Sequence, residues 1–224
     1  MIFYFILLEI EINNFKKKIK VFLLVGEDSG DFIASCIIKG FKKSLINNYE
    51  FFGVCGVRMK KLNVNQVFHY SEINFLGFKD VALNYIKLRK KVQFLANFIF
   101  DLRPDVVITI DSKLFSLNLA KLLKKKFLTY NIHIPLVHIV LPTIWAHSPK
   151  RALRWKGVHD KLISIIPNEK KYFENYSIKT KYLGNPFFEK LISKKKNIKN
   201  QNNHDTCLIL PGSREKEINF NIPP

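Results

Sequence analysis

The sequence predicts an α/β fold, a Rossmann-like parallel sheet with helices on both faces. Unbroken apolar runs such as residues 21–25 are typical of parallel strands that are buried on both sides. These runs alternate along the chain with longer stretches in which apolar residues recur at helical spacing, as in proteins whose sheet is covered by helices. Apolar residues make up 47% of the 224-residue chain, which is enough for a large core and excludes a disordered protein.

The first half of the chain supplies the clearest elements. Residues 21–25 form an apolar strand, and residues 32–45 follow as a helix with apolar side chains on one face. Residues 50–54 are the next strand, and a short helix runs through Met59. A long helix is predicted over residues 81–100.

The second half repeats the pattern with strands that are rich in Val and Ile. Predicted strands cover residues 105–110, 134–140, 161–166 and 180–183, and predicted helices cover residues 116–126, 150–157 and 168–175. Residues 193–205 are mostly Lys, Asn and Gln with no apolar face, which is typical of a linker.

These elements predict four segments. They are an N-terminal extension (1–19), a Rossmann-like domain (20–192), a linker (193–206) and the first strand and loop of a second domain (207–224), most of which we expect to be missing. Glu9 and Glu11 interrupt the apolar start well before the ~20 residues that a membrane-spanning helix needs. The positive charges follow that apolar start instead of preceding it, which argues against a signal peptide.

A glycine-containing turn, residues 26–31, joins the first strand to the first helix. Backbone N–H groups at a helix N-terminus bind anions or sugar hydroxyls, but the glycine spacing is not the dinucleotide fingerprint. Because Glu27, Asp28 and Asp31 place three carboxylates there, the turn suits sugar hydroxyls or a catalytic base better than a phosphate.

A second turn follows residues 208–210, which are predicted to form a short buried strand. Gly212 allows a ligand to approach the backbone, Ser213 can cap a following helix, and Arg214 can bind a phosphate through two N–H groups. The same pattern also fits an ordinary strand, turn and solvated arginine, so the residues alone leave both interpretations open.

Asp111 follows the strand 105–110. An acidic side chain at the carboxyl end of a parallel strand faces the edge where ligands bind, which makes Asp111 a candidate general base. An aspartate at this position can equally cap the next helix, and spacing does not separate the two roles.

The charge and the cysteines set limits on the function. The formal net charge of +19 favours polyanionic partners, although it also fits the compositional bias of an AT-rich gene. The three cysteines form no C-x-x-C pair, and the six histidines show no metal-binding spacing, so we predict no metal and a reducing compartment. No nucleic-acid-binding motif accompanies the charge, so no specific nucleic-acid partner is expected.

Seven motifs in register make the chain resemble the lipid-A-disaccharide synthases, which are GT-B glycosyltransferases of family 19. They are Gly26-Glu27-Asp28-Ser29-Gly30-Asp31; Gly53-Val54-Cys55-Gly56 with Met59; Pro104-Asp105 with Ile110-Asp111-Ser112; His138-Ile139-Val140-Leu141-Pro142-Thr143-Ile144-Trp145-Ala146; Pro167 with Glu169 and Tyr172-Phe173-Glu174; Leu183-Gly184-Asn185-Pro186; and Leu210-Pro211-Gly212-Ser213-Arg214 with Glu217-Ile218.

The resemblance implies an inverting transfer of 2,3-diacylglucosamine from its UDP conjugate to the 6-hydroxyl of 2,3-diacylglucosamine 1-phosphate, without a metal or cofactor. It implies that Asp111 is the base, that Glu27 is an essential acid and that Arg214 lies beside the UDP-sugar. Its further implied substrate-binding residues are Ser29, Gly30, Asp31, Pro142, Trp145, Gly212, Ser213 and Glu217.

The resemblance also implies a cytoplasmic protein that is peripheral on the inner membrane. The implied membrane-facing residues are Ile73, Phe75, Leu76, Phe78, Val81 and Ile86, with basic residues nearby. The alternative is an ordinary amphipathic helix that covers the sheet.

Three departures from the family pattern bear on activity. The Asp111 motif lacks its usual proline, the tryptophan motif ends in His147, and Asn185 replaces a histidine. Because most of the second domain is expected to be missing, the chain is expected to be inactive alone, as a fragment or as one half of a split enzyme with a separately encoded C-terminal half. The alternative is an inactive remnant that binds acylated sugar phosphate.

Overall fold

The computed structural model describes residues 18–43, 48–74, 84–144, 148–195, 207–212, 218–219 and 221–222. The chain divides into two compact units, residues 1–186 and residues 187–224. The first unit holds the sheet and the candidate site, and the second holds most of the last helix and the described residues that follow it.

The first unit is built on a sheet of seven strands. They are β1 (Ile19–Val25), β2 (Tyr49–Cys55), β3 (Asn65–His69), β4 (Val106–Ile110), β5 (Leu136–Ile139), β6 (Lys161–Ser164) and β7 (Thr180–Tyr182). Every neighbouring pair is parallel, in the order β3-β2-β1-β4-β5-β6-β7. The predicted Rossmann-like parallel sheet is confirmed.

Six α-helices accompany the strands in the described residues. They are α1 (Asp28–Lys42), α2 (Val57–Lys60), α3 (Tyr85–Leu102), α4 (Lys113–Thr129), α5 (Lys171–Glu174) and α6 (Pro186–Lys195). Two 3₁₀ helices, Tyr70–Glu72 and Pro149–Trp155, complete the described elements.

Alternate residues of the central strands pack on opposite faces of the sheet. Leu23 and Ile108 belong to one core cluster together with Ile37 of α1. Their neighbours Phe22 and Val107 belong to a second cluster, which contains residues of α3 and α4. The two-residue period of a strand thus gives both faces an apolar layer, and helices cover each of them.

The strand order reverses beside β1. The chain moves outward from β1 to β2 and β3, and then returns to place β4 on the other side of β1. Val25 pairs with Ile110, so β1 and β4 end at the same level. Loops that follow two such strands diverge to opposite faces and leave a crevice between them, where open α/β sheets bind ligands.

Several predicted elements differ from the structure. Strand β3 is missed because its sequence, Asn-Gln-Val-Phe-His, has no apolar run and forms an edge of the sheet. The predicted helix 150–157 is a 3₁₀ helix that begins with Pro149. The predicted linker starts too early, because α6 extends to Lys195.

The prediction of a buried strand at residues 208–210 is wrong. In the structure these residues form no strand, and Leu208, Ile209 and Leu210 are 77%, 69% and 80% exposed. A strand is stabilised by hydrogen bonds to its neighbours. The described residues of the second unit include no strand that pairs with this segment.

Candidate active site

The loops after β1 and β4 lie against each other at the reversal of strand order. A methyl group added to Gly26 would lie 2.5 Å from Ser112 Cβ and 2.6 Å from Ser112 Oγ. Only glycine allows this approach. Gly26 therefore brings the neighbouring Glu27 next to the loop that carries Asp111.

The loop after β4 has an unusual backbone. Asp111 and Ser112 have φ angles of 52° and 46°, in the left-handed region that residues with a side chain seldom adopt. The Asp111 N–H donates to the Ile139 carbonyl at 2.9 Å, and the Ser116 hydroxyl donates to the Asp111 carbonyl at 2.9 Å. Strained conformations of this kind occur where the surroundings fix a functional side chain.

The structure argues against one of the two roles that the sequence leaves open for Asp111, the capping of the next helix. The N-cap of α4 is Ser112, and its side chain makes no capping hydrogen bond. Asp111 lies one residue before the cap and lines a cleft. Helix capping is therefore not the reason for an acid at this position.

Asp111 and Glu27 form a pair of interacting carboxylates. Burial raises the pKa of Asp111 above its ordinary value, Lys113 opposes that rise through its charge, and Glu27 reinforces it through its charge and a hydrogen bond. Two carboxylates can hydrogen-bond only when they share a proton. A carboxylate with a raised pKa is a stronger base, which suits proton abstraction from a hydroxyl group.

Glu27 occupies the N-cap position of α1 but makes no side-chain capping hydrogen bond. The Ser29 hydroxyl donates to the Glu27 carboxylate. The turn after β1 thus orients the Glu27 side chain toward Asp111, and Ser29 acts through Glu27.

A cleft of about 620 Å³ opens beside this pair. Its polar end contains Glu27, Asp111 and Lys113, and its walls come mainly from α3 and α4. The apolar part of the lining consists of Ile73, Leu88, Val92, Leu114, Phe115 and Leu122. The cleft can therefore accept a molecule with a polar, hydroxyl-bearing end and an apolar end.

Comparison with known proteins identifies the family of this chain. The family model described as lipid-A-disaccharide synthetase matches residues 21–224. The chain belongs to this family.

Relatives named lipid-A-disaccharide synthase support the assignment. The relative from Rickettsia typhi is 31% identical over 210 residues, which are 91% of this chain and 54% of that protein. The relative from Wigglesworthia glossinidia brevipalpis is 31% identical over 211 residues, 91% of this chain and 53% of that protein. The chain spans about half the length of the curated relatives it matches.

In this member of the lipid-A-disaccharide synthetase family, Asp31 holds the backbone that follows β2. Its carboxylate accepts hydrogen bonds from the backbone N–H groups of Gly56 and Arg58 at 2.8 Å and of Met59 at 3.2 Å. The side chain is 1% exposed. Asp31 thus holds three backbone donors at the start of α2, and its predicted contact with the substrate stays a prediction.

Gly30 is also structural. A methyl group added there would lie 3.2 Å from Val25 Cβ, so glycine allows α1 to pack closely on β1. Within the described residues, neither Gly30 nor Asp31 lines the cleft.

Other predicted site residues are separated or lie outside the described residues. Pro142 lines a second groove beside the cleft, and Gly212, with φ of 117°, belongs to the second unit. Trp145, Ser213, Arg214 and Glu217 lie outside the described residues, as do Phe75, Leu76, Phe78 and Val81.

Of the predicted membrane-facing residues, two are described. Ile73 is only 5% exposed and belongs to the core cluster beneath α3, so it is not part of an apolar surface. Ile86, on the first turn of α3, is 70% exposed. In the described part of the chain, no helix combines the length and apolar character needed to cross a membrane.

The second groove, about 260 Å³, adjoins the cleft and shares Lys113 and Leu114 with it. Arg151 and Arg154 also line it, together with Pro142, Thr143 and Trp155. Sequence reasoning missed these two arginines. The available signal was their three-residue spacing, which places two side chains on one face of a helix.

Two histidines, one buried and one half-buried, support the floor of this groove. His138 is fully buried, its Nδ1 lies 2.8 Å from Thr109 Oγ1, and its ring lies 4.4 Å from the Trp155 ring. The His159 ring stacks on Trp155 at 5.2 Å. Burial lowers the pKa of His138 well below its ordinary value and that of His159 to about 3, so both are neutral at pH 7.

Proposed function

We propose that this chain supplies the acceptor-binding half and the catalytic base of a lipid-A-disaccharide synthase. The reaction is the transfer of 2,3-diacylglucosamine from its UDP conjugate to the 6-hydroxyl of 2,3-diacylglucosamine 1-phosphate. The observation that carries the proposal is the Asp111–Glu27 pair in a cleft that is lined by apolar side chains of α3 and α4 as well as by polar ones. Membership of the family supports the choice of substrates.

The proposed chemistry begins with the acceptor hydroxyl beside Asp111. The hydroxyl oxygen attacks the anomeric carbon of the donor as its proton passes to the Asp111 carboxylate. The bond between the anomeric carbon and the diphosphate oxygen breaks, and UDP leaves with the bonding electrons. Attack from the face opposite the leaving group gives the β-1,6 linkage with inversion.

Glu27 has two effects on the base in this scheme. Its charge and hydrogen bond help to raise the pKa of Asp111, which strengthens the base. Its carboxylate also offers a second oxygen, so that Asp111 and Glu27 can share the proton taken from the acceptor hydroxyl. Lys113 opposes the rise in the pKa of Asp111 through its charge, which favours the ionised form that acts as the base.

The apolar walls of the cleft account for an acylated sugar better than for a free sugar. Leu88 and Val92 of α3 and Phe115 and Leu122 of α4 contribute to the lining. A sugar with only hydroxyl groups gains nothing from this surface, whereas each buried methylene of an acyl chain contributes about 0.8 kcal/mol.

Membrane association is a second part of the proposal. Tyr85 and Ile86, 57% and 70% exposed, begin α3, and Lys87, Arg89 and Lys90 lie beside them. Exposed apolar side chains next to basic ones favour the surface of an anionic bilayer. Sedimentation with phosphatidylglycerol vesicles and with phosphatidylcholine vesicles tests this, and equal binding to both would contradict the electrostatic part.

The enzymatic proposal is tested by Asp111→Asn, with Asp101→Asn on the exposed end of α3 as a matched control. UDP release from the two acylated substrates is measured for the chain alone and for the chain joined to the remaining part of the Rickettsia typhi relative. We expect Asp111→Asn to lower the rate by about 10²–10⁴-fold and the control to leave it unchanged. UDP release that persists in Asp111→Asn would contradict the assignment of the base.

A further inference from the structure

All the described charged residues that line the groove beside Asp111 are cations. Lys113, Arg151 and Arg154 line it, and no described carboxylate does. We infer that this basic groove binds a phosphate group of the substrate, namely the 1-phosphate of the acceptor sugar. The choice of the acceptor rests on the proposed function.

The two arginines are placed to act together. They belong to the 3₁₀ helix Pro149–Trp155, and a 3₁₀ helix has three residues per turn. Arg151 and Arg154 therefore lie on the same face of the helix, one turn apart. A guanidinium group presents a planar fork of N–H donors that matches phosphate oxygens, so two such groups provide a phosphate site.

In the described part of the chain, none of the three cations forms a salt bridge, although Lys113 is close enough to Asp111 for its charge to lower the pKa of that carboxyl. The chain has other basic residues that do pair, such as Lys124 with Asp160 at 2.8 Å. The positive end of the α4 dipole lies at Lys113 and adds to the attraction for an anion.

The position of the groove identifies the phosphate. Lys113 and Leu114 line both the basic groove and the catalytic cleft, so the two spaces adjoin. A phosphate placed at the polar end of the cleft would meet the carboxylates of Glu27 and Asp111 and be repelled. An acceptor with its 6-hydroxyl at Asp111 has its 1-phosphate across the sugar ring, where the cations can receive it.

The floor of the groove is rigid. Trp155, which is 4% exposed, packs against the rings of His138 and His159. The adjacent Ala152 is fully buried, so the 3₁₀ helix is anchored by side chains between the two arginines. Arginines on an anchored helix lose less freedom on binding than arginines on a loop.

The test measures the binding of glucosamine 1-phosphate and of glucosamine to the chain by NMR or calorimetry. The variant is Arg151→Gln/Arg154→Gln. The control is Lys121→Gln/Lys125→Gln, which removes the same charge from exposed positions of α4. We expect the wild type and the control to prefer the phosphorylated sugar by at least about tenfold and the double-arginine variant to lose that preference. Thermal unfolding of all three proteins shows whether the fold is retained.

A parallel titration with UDP separates the two possible sources of phosphate. Loss of UDP binding in the double-arginine variant, with glucosamine 1-phosphate binding intact, would assign the groove to the donor and overturn the inference. Equal binding of glucosamine and its 1-phosphate by the wild type would also overturn it. An absence of UDP release in the transfer assay would contradict the proposed reaction alone. The preference for glucosamine 1-phosphate over glucosamine is measured separately, by binding.

Discussion

The two neutral histidines beneath the basic groove predict that the protein loses stability in mild acid. His159 has a pKa of about 3 in the folded protein and about 6.5 when unfolded. Between these two values the unfolded chain holds a proton at His159 and the folded chain does not. Lowering the pH through this window therefore favours unfolding, and raising it restores stability.

The size of the effect follows from the two pKa values. Within the window, each pH unit changes the free energy of unfolding by about 1.4 kcal/mol per histidine. From pH 7 to pH 5, His159 alone accounts for a loss of about 2 kcal/mol, because its titration in the unfolded state begins near pH 6.5. Burial lowers the pKa of His138 as well, so His138 acts in the same direction. The raised pKa of Asp111 acts in the opposite direction, since the folded protein binds that proton more readily.

The contribution of His159 can be isolated with His159→Phe, which keeps an aromatic ring against Trp155 and removes the titration. Urea unfolding is measured by circular dichroism for both proteins at pH 5, 7 and 8. We expect the loss of stability from pH 7 to pH 5 to be smaller in the variant by about 2 kcal/mol. The change from pH 7 to pH 8 should be the same in both proteins, which serves as an internal control. An equal loss from pH 7 to pH 5 would refute the lowered pKa of His159 in the folded protein.

Three further substitutions test the supports of the site. Asp31→Asn removes the charge that accepts three backbone N–H groups, and we expect a loss of about 3 kcal/mol in urea unfolding; an unchanged midpoint would contradict the supporting role. Gly26→Ala places a methyl group 2.5 Å from Ser112 Cβ, so the Asp111 loop must shift. We expect the free energy of unfolding to fall by ~1–3 kcal/mol and UDP release to be at least tenfold slower. UDP release at the wild-type rate would show that the loop spacing is not critical. Leu88→Gln puts a polar side chain into the apolar part of the cleft lining. We expect it to weaken binding of the acylated acceptor about tenfold while glucosamine 1-phosphate binds as before. Equal weakening of both ligands would place the acyl chain elsewhere.

The sequence predicts the centre of the fold better than its edges. Strands β1 and β4 are buried on both faces, so nearly every residue is apolar and the pattern is unambiguous. Strand β3 lies at the edge and is partly exposed, so polar residues obscure it. Residues 208–210 show the converse error, because an apolar run forms a strand only where neighbouring strands can pair with it.

The site residues likewise divide into those that the sequence predicts and those that it does not. Asp111 and Glu27 are predictable because they follow buried strands, and the topology of such sheets brings strand ends together. Their mutual interaction is not predictable, since it depends on the backbone conformation of Asp111 and on the close approach of Gly26. Arg151 and Arg154 are missed because basic residues three positions apart are ordinary on a solvated helix face, and the sequence does not show that this face lines a groove.

The separation of charge across the site follows from the reversal of strand order. The turn after β1 provides Glu27, and the loop after β4 provides Asp111, so both carboxylates lie where these two loops meet. The cations come from the start of α4 and from the 3₁₀ helix that follows β5, one strand further along the sheet. A substrate that spans both regions must place a group that loses a proton at the first and an anionic group at the second. A hydroxylated sugar phosphate meets both requirements, whereas a neutral sugar or an inorganic anion meets only one.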